Sequence, residues 1–132
     1  MKILSWNCEG LGAPWTVRTL TRLVKLHRPG LVFLSETKCN ARRVDRVKNL
    51  MNYNGVGVDF VGKGGGLFLL WRKDVDVWLQ SLSLHHIDVT VKSDDYPDRW
   101  HFLGFMVIRR SLIGGMDGTF YGDLLNVLSG GL

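Results

Sequence analysis

Lys2-Ile-Leu-Ser-Trp-Asn7 and Leu31-Val-Phe-Leu-Ser35 are two short, mainly apolar runs of strand length, and the chain between them repeats its apolar residues at helical spacing. From Pro14 to His27, the residues Val17, Leu20, Leu23, Val24 and His27 fall on one stripe, while Arg18, Arg22 and Lys25 fall on another. Pro29 and Gly30 stop this helix just before the second run. The outcome is a strand, helix, strand unit. A right-handed crossover makes its strands parallel and carries both carboxyl ends to one edge of a sheet.

Working outward, Asn40 is placed to cap a second helix from Ala41 to about Met51, with Val44, Val47 and Met51 inward and Arg42 and Arg46 outward. Beyond Gly55 the pattern shortens to strand-length segments at 56–61, 67–72, 75–82, 86–92 and 99–107. Glycine-rich (62–66) and acidic (94–98) turns suit antiparallel connections, so the expectation is an α/β fold: a βαβ unit followed by a β-meander. A short helix is expected at 120–128. Trp6, Trp71, Trp78 and Trp100 are read as core residues rather than base-stacking platforms, with Trp15 left open.

With 132 residues, 45% of them hydrophobic and 22% charged, the chain has the profile of one soluble globular domain. No apolar run approaches the ~18 residues of a membrane helix, and polar Ser5 and Asn7 interrupt any signal-peptide core. No Asn-x-Ser/Thr site is present, so the expected setting is nuclear or cytoplasmic, not secreted, with no membrane partner. Cys8 and Cys39 lack metal-ligand spacing and read as reduced thiols. His85 and His86 are adjacent, so on a strand they face opposite sides and are poorly placed to share a metal. The 62–66 turn lacks the Gly-Lys-Ser/Thr of a P-loop.

Charge is uneven. Between residues 17 and 48, nine basic side chains (Arg18, Arg22, Lys25, Arg28, Lys38, Arg42, Arg43, Arg46 and Lys48) face only Glu36 and Asp45, a local +7. Such a region either attracts phosphate-rich partners or is simply a pair of solvated helix faces. The first unit contains a second candidate. Asn7 ends the first strand and Glu36 follows the second, so neighbouring strands ~4.8 Å apart bring an amide and a carboxylate together. Glu36 is suited to give an oxygen to Mg²⁺, and Asn7 to orient Glu36 or a phosphate. The alternative is an exposed loop acid and a strand-end cap.

Five stretches in order carry a resemblance. Met1-Lys-Ile-Leu-Ser-Trp-Asn7-Cys-Glu-Gly-Leu-Gly12 and Arg28-Pro-Gly-Leu-Val-Phe-Leu-Ser-Glu36-Thr-Lys38 resemble the opening of the endonuclease/exonuclease/phosphatase family. Gly62-Lys-Gly-Gly-Gly-Leu-Phe-Leu-Leu-Trp71, His86-Ile-Asp88 and Arg99-Trp-His-Phe-Leu-Gly-Phe105 resemble its later strands, most nearly those of the endonuclease domain of plant LINE-type retrotransposons. The resemblance implies a two-sheet α/β sandwich that hydrolyses phosphodiester bonds with a divalent metal, usually Mg²⁺, and no small-molecule cofactor. DNA is the implied partner. It also implies that Asn7 helps hold the scissile phosphate and catalytic groups and that Glu36 binds the metal.

The chain departs from the family at Phe105-Met106-Val107, where relatives read Phe-Tyr-Gly, and no Gly-Asp-Phe-Asn or Ser-Asp-His word occurs before Leu132. The expectation is therefore a family domain, N-terminal part, over 1–107 and a divergent tail over 108–132: a truncated and inactive copy of a nuclease that nicks target DNA. Half a sandwich is expected to leave the inner face of one sheet bare. The alternative is a non-catalytic nucleic-acid-binding or interaction fragment using Arg18, Arg22, Lys25, Arg42, Arg43 and Arg46 on phosphates.

Overall fold

The computed structural model of the chain describes residues 1–59, 65–105 and 123–127, the last as backbone. Its elements run β1 (Lys2–Asn7), α1 (Pro14–His27), β2 (Leu31–Ser35), α2 (Ala41–Met51), β3 (Asn54–Val58), β4 (Leu67–Trp71), β5 (Asp76–Leu82), β6 (His86–Ser93), β7 (Tyr96–Phe105) and β8 (Asp123–Val127). They form a five-stranded sheet of order β3-β4-β2-β1-β8 and a three-stranded sheet of order β5-β6-β7. This is the expected α/β sandwich.

Two cores follow from strand alternation. Leu4, Trp6, Val32, Leu34, Phe68 and Leu70 point to one face of the larger sheet and pack under Leu20 and Val24 of α1 and Val44 and Val47 of α2. Ile3, Leu31, Phe33, Leu67 and Leu69 point to the other and meet Ile87, Val89, Val91, Trp100 and Phe102 of the smaller sheet. A strand buried on both faces must be apolar throughout, which is why Leu31 to Leu34 lack polar alternation. Gly104 lets the sheets close on each other: a Cβ there would lie 2.6 Å from Cε1 of Phe33.

Several expectations need correcting. The meander is confined to β5-β6-β7, because β3 and β4 join the first sheet, where β4 runs antiparallel to β2. A hairpin pattern specifies local pairing and leaves open which sheet the hairpin joins. Among the described residues the inner face expected to be bare is covered, with Leu79 and Leu82 of β5 left exposed. Within the expected helix at 120–128, residues 123–127 form β8, paired in parallel with β1 from Lys2↔Asp123 to Trp6↔Val127. The open edge of β1 offers backbone partners that outweigh weak helical propensity over a short segment. The rest of that expected helix, residues 106–107 and turn residues 62–64 lie outside the described residues. Trp6 and Trp100 are buried and Trp71 is partly buried, but Trp78 is 39% exposed on edge strand β5, with the Arg99 guanidinium 4.2 Å from its ring centre. Trp15 is exposed as well.

Candidate active site

β1 and β2 are parallel, with Ile3↔Leu31 through Asn7↔Ser35 in register, so Asn7 and Glu36 emerge at the same rim of the sheet. Beyond the strands the pairing continues. Cys8 N donates to Ser35 O (3.1 Å), Gly10 N to Glu36 O (2.8 Å) and Leu11 N to Thr37 O (2.7 Å). On the other side Thr37 N donates to Gly66 O (3.2 Å) and Lys38 N to Gly65 O (3.0 Å). Gly65 and Gly66 have φ of 88° and 93°, a region that other residues seldom adopt, and their carbonyls fasten the Glu36 loop to the start of β4. Three strand ends are thus tied into one rim.

Backbone strain is concentrated there. Of the five non-glycine residues with positive φ among those described, Arg28 and Asn52 are the left-handed C-caps of α1 and α2. The other three, Glu9 (48°), Glu36 (52°) and Lys38 (51°), all lie on the rim. Each costs about 1–3 kcal/mol and persists only where the surroundings enforce it, which is characteristic of ligand-holding loops. A polar group here is also left over: Oδ1 of Asn7 is buried and has no hydrogen-bond partner among the described residues. Nε1 of Trp6, the residue before Asn7, is in the same condition. Unsatisfied polar atoms in a native fold call for a ligand, ion or water.

The two cysteines take no part in chemistry of this kind. Burial pushes the Cys8 thiol up to about 12, and its Sγ donates to Ser35 O at 3.5 Å. Burial likewise raises Cys39. Both are free thiols inside the rim, protonated at neutral pH.

Glu9 was missed in the sequence reading. It stands two residues after Asn7, is exposed, and precedes Gly10, whose N–H bonds the carbonyl of Glu36. An acid immediately beyond a strand end that already carries a candidate residue was the available signal. Glu9, Asn7 and Glu36 supply oxygen donors only, which suits a hard divalent cation, an ion that commonly takes one or two carboxylates and completes its shell with water and phosphate oxygens. No group of three or more His, Cys, Asp or Glu able to hold a metal occurs among the described residues.

The basic residues separate into two kinds. Arg43 is structural: its Nε donates to Leu11 O (3.4 Å) and its Nη2 to Gly12 O (3.2 Å), fixing the loop after Asn7 against α2. Arg18, Arg22, Lys25, Arg42 and Arg46 are exposed and make no ion pair among the described residues. No described helix is long and apolar enough to cross a membrane.

Residues 4–109 match the Endonuclease/Exonuclease/phosphatase family. The chain belongs to this family. Members of the Endonuclease/Exonuclease/phosphatase family are generally dependent on a divalent metal. An AP endonuclease, LMAP from Leishmania major, superposes with a TM-score of 0.60 at 17% identity, over 78% of this chain and 39% of its own. TDP2 of D. rerio in complex with a single-strand DNA product gives 0.55 at 18% identity, over 83% and 48%. The 3′ phosphatase NExo from Neisseria, bound to a product DNA hairpin, gives 0.51 at 20% identity, over 67% and 37%. At these identities the likeness establishes the fold. The chain spans less than half the length of each of these three proteins. No curated protein matches the chain in sequence.

Proposed function

We propose that the chain carries part of a divalent-cation-dependent phosphodiesterase site, from a domain that hydrolyses DNA, and that the 132 residues alone turn over no substrate. The observation that carries this reading is the meeting of Asn7 and Glu36 at one strained rim, with Oδ1 of Asn7 buried and unpartnered. Glu36, with Glu9 beside it, would hold the cation. When bound, the cation would supply Lewis-acid polarisation of a phosphate oxygen. Oδ1 of Asn7 would accept from a water on the cation while its Nδ2 would donate to a phosphate oxygen, and the hydrogen bonds from Gly10 N and to Gly65 and Gly66 hold the Glu36 loop in place before substrate arrives. Thr37 keeps that loop closed against β4 through its N–H.

The rim provides an amide and carboxylates, and a site without a positioned general base typically loses about 10²- to 10⁴-fold. Family membership and the DNA-bound neighbours support DNA as the ancestral substrate. The resemblance of the five quoted stretches supports descent from a LINE-type retrotransposon endonuclease of plant kind and a nuclear or cytoplasmic setting. Residues 1–107 are the part that carries the family pattern in this reading. A supercoiled-plasmid nicking assay with Mg²⁺ tests it: neither the chain nor its Glu36→Ala form nicks, and nicking that depends on Glu36 would overturn the inactivity.

A second reading is favoured by the five exposed cations on α1 and α2, which make no ion pair among the described residues: a non-catalytic fragment that retains nucleic acid. Steeply salt-dependent gel retention of duplex DNA without cleavage would select it.

A further inference from the structure

A shallow, open groove of about 620 Å³ runs along α1, lined there chiefly by Val17, Arg18, Arg22, Lys25 and Leu26, and meets α2 at Leu50. Both helices start beyond the rim that holds Asn7 and Glu36 and run back to the opposite edge of the sheet, so Lys25, Leu26 and Leu50 in their last turns lie far from that rim. The groove thus runs from the first turns of α1 away from the candidate active site.

Its composition is unusual for a solvated face. Leu26 is 72% exposed and Leu50 63%, although the core side of α1 is already supplied by Leu20 and Val24. Thr21, also in the groove, turns its hydroxyl back to Val17 O at 2.8 Å, so it adds little polarity to the floor. Along one side stand Arg18, Arg22 and Lys25, at i, i+4 and i+7, with no ion pair among the described residues and no acid in the lining. Two turns of helix separate the first from the last, about 10 Å. A nucleic-acid backbone would neutralise the three cations but would leave both leucines against phosphate and water. A partner with carboxylates along one edge and leucine-like side chains along the next satisfies both halves of the groove.

The geometry points to a docking site for an acidic amphipathic helix of a partner protein, lying along α1 with apolar anchors between Leu26 and Leu50 and carboxylates opposite Arg18, Arg22 and Lys25. Such a helix repeats its anchors at i, i+3 or i+4, and i+7, and so matches the spacing of the three cations turn for turn. Burial of its anchors provides affinity, and the charges set orientation and partner choice.

The probe is a fluorescein-labelled peptide of about 18 residues with leucines at i, i+4, i+7 and i+11 flanked by glutamates, set against a scrambled peptide of identical composition. Anisotropy titrations with the 132-residue chain are expected to show saturable binding to the patterned peptide, at least about tenfold tighter than to the scrambled one. Leu50→Asp and Arg22→Glu should each weaken it by about tenfold or more. Both positions are exposed, and circular dichroism checks that the fold is kept; should Leu50→Asp unfold the chain, Leu26→Ser provides the same reading at the other side of the groove. No saturable binding, equal binding of the scrambled peptide, or indifference to the leucine substitution would overturn the proposal. Duplex DNA that displaces the peptide, with an affinity untouched by changes at Leu26 and Leu50, would do so too, by making the groove a phosphate face.

Discussion

Gly104→Ala probes the contact that holds the two sheets together. An added Cβ would sit 2.6, 2.7 and 2.9 Å from Cε1, Cδ1 and Cζ of Phe33, against the ~3.5–4.0 Å of a relaxed carbon contact. The ring has little room to retreat, because Phe33 is 2% exposed and packs edge-to-face on Phe102 at 6.0 Å and 62°. The methyl must therefore push β7 from β2 or force the ring off its rotamer, at about 1–3 kcal/mol. Lower entropy of the unfolded alanine chain returns roughly 0.4–1 kcal/mol. The net loss of about 1–2 kcal/mol should lower the melting temperature by roughly 3–8 °C in a domain of this size. Urea unfolding of the wild type, Gly104→Ala, Phe33→Leu and the double variant forms a cycle, and the smaller leucine should relieve the clash with a coupling of about 1 kcal/mol or more. A melting temperature unchanged by Gly104→Ala, or strictly additive single effects, would show that the sheets do not meet at these residues.

Other expectations concern the elements around the rim. Asn40→Ala removes the side-chain oxygen that accepts from Arg43 N at 3.1 Å, and should cost about 1 kcal/mol in urea unfolding. At Lys38, with φ of 51°, Lys38→Gly should be neutral or stabilising, whereas Lys38→Val should cost more than about 1 kcal/mol, because a β-branched residue tolerates that backbone poorly. Burial pushes the Cys8 thiol up to about 12 in the fold, above its ordinary range, so its contribution to stability is complete below about pH 9 and declines from there to about pH 12 by up to ~1.4 kcal/mol per pH unit. Unfolding midpoints measured from pH 8 to 11 should fall more steeply for the wild type than for Cys8→Ala, and equal slopes would contradict the assignment.

The relation between Asn7 and Glu36 could be read from the sequence because a βαβ crossover leaves the chain little choice: two parallel neighbours must end at the same edge. Asn40 was equally legible, since its cap depends on three consecutive residues and on nothing distant. The destination of β3 and β4 was not, because the glycine-rich turn between them specifies a hairpin without saying which open strand it joins. Segment 123–127 was misread for a related reason: its pairing partner, β1, lies more than a hundred residues away. The strain at Glu9, Glu36 and Lys38 left no mark on composition or periodicity, since any residue type can be held at positive φ when neighbouring carbonyls and amides impose it. Leu26 and Leu50 were passed over because each lies off the apolar stripe of its own helix, and only the packing of α1 beside α2 brings them into one groove.

Mn²⁺ titration of the ¹⁵N-labelled chain is the sharpest test of the proposal that Asn7 and Glu36 form one cation-holding rim. Paramagnetic broadening is predicted at the amides of Glu9, Gly10, Glu36 and Thr37, and Glu36→Gln should abolish it. Broadening confined to the acidic turn around Asp94 and Asp95, or a rim that stays sharp throughout, would contradict the account.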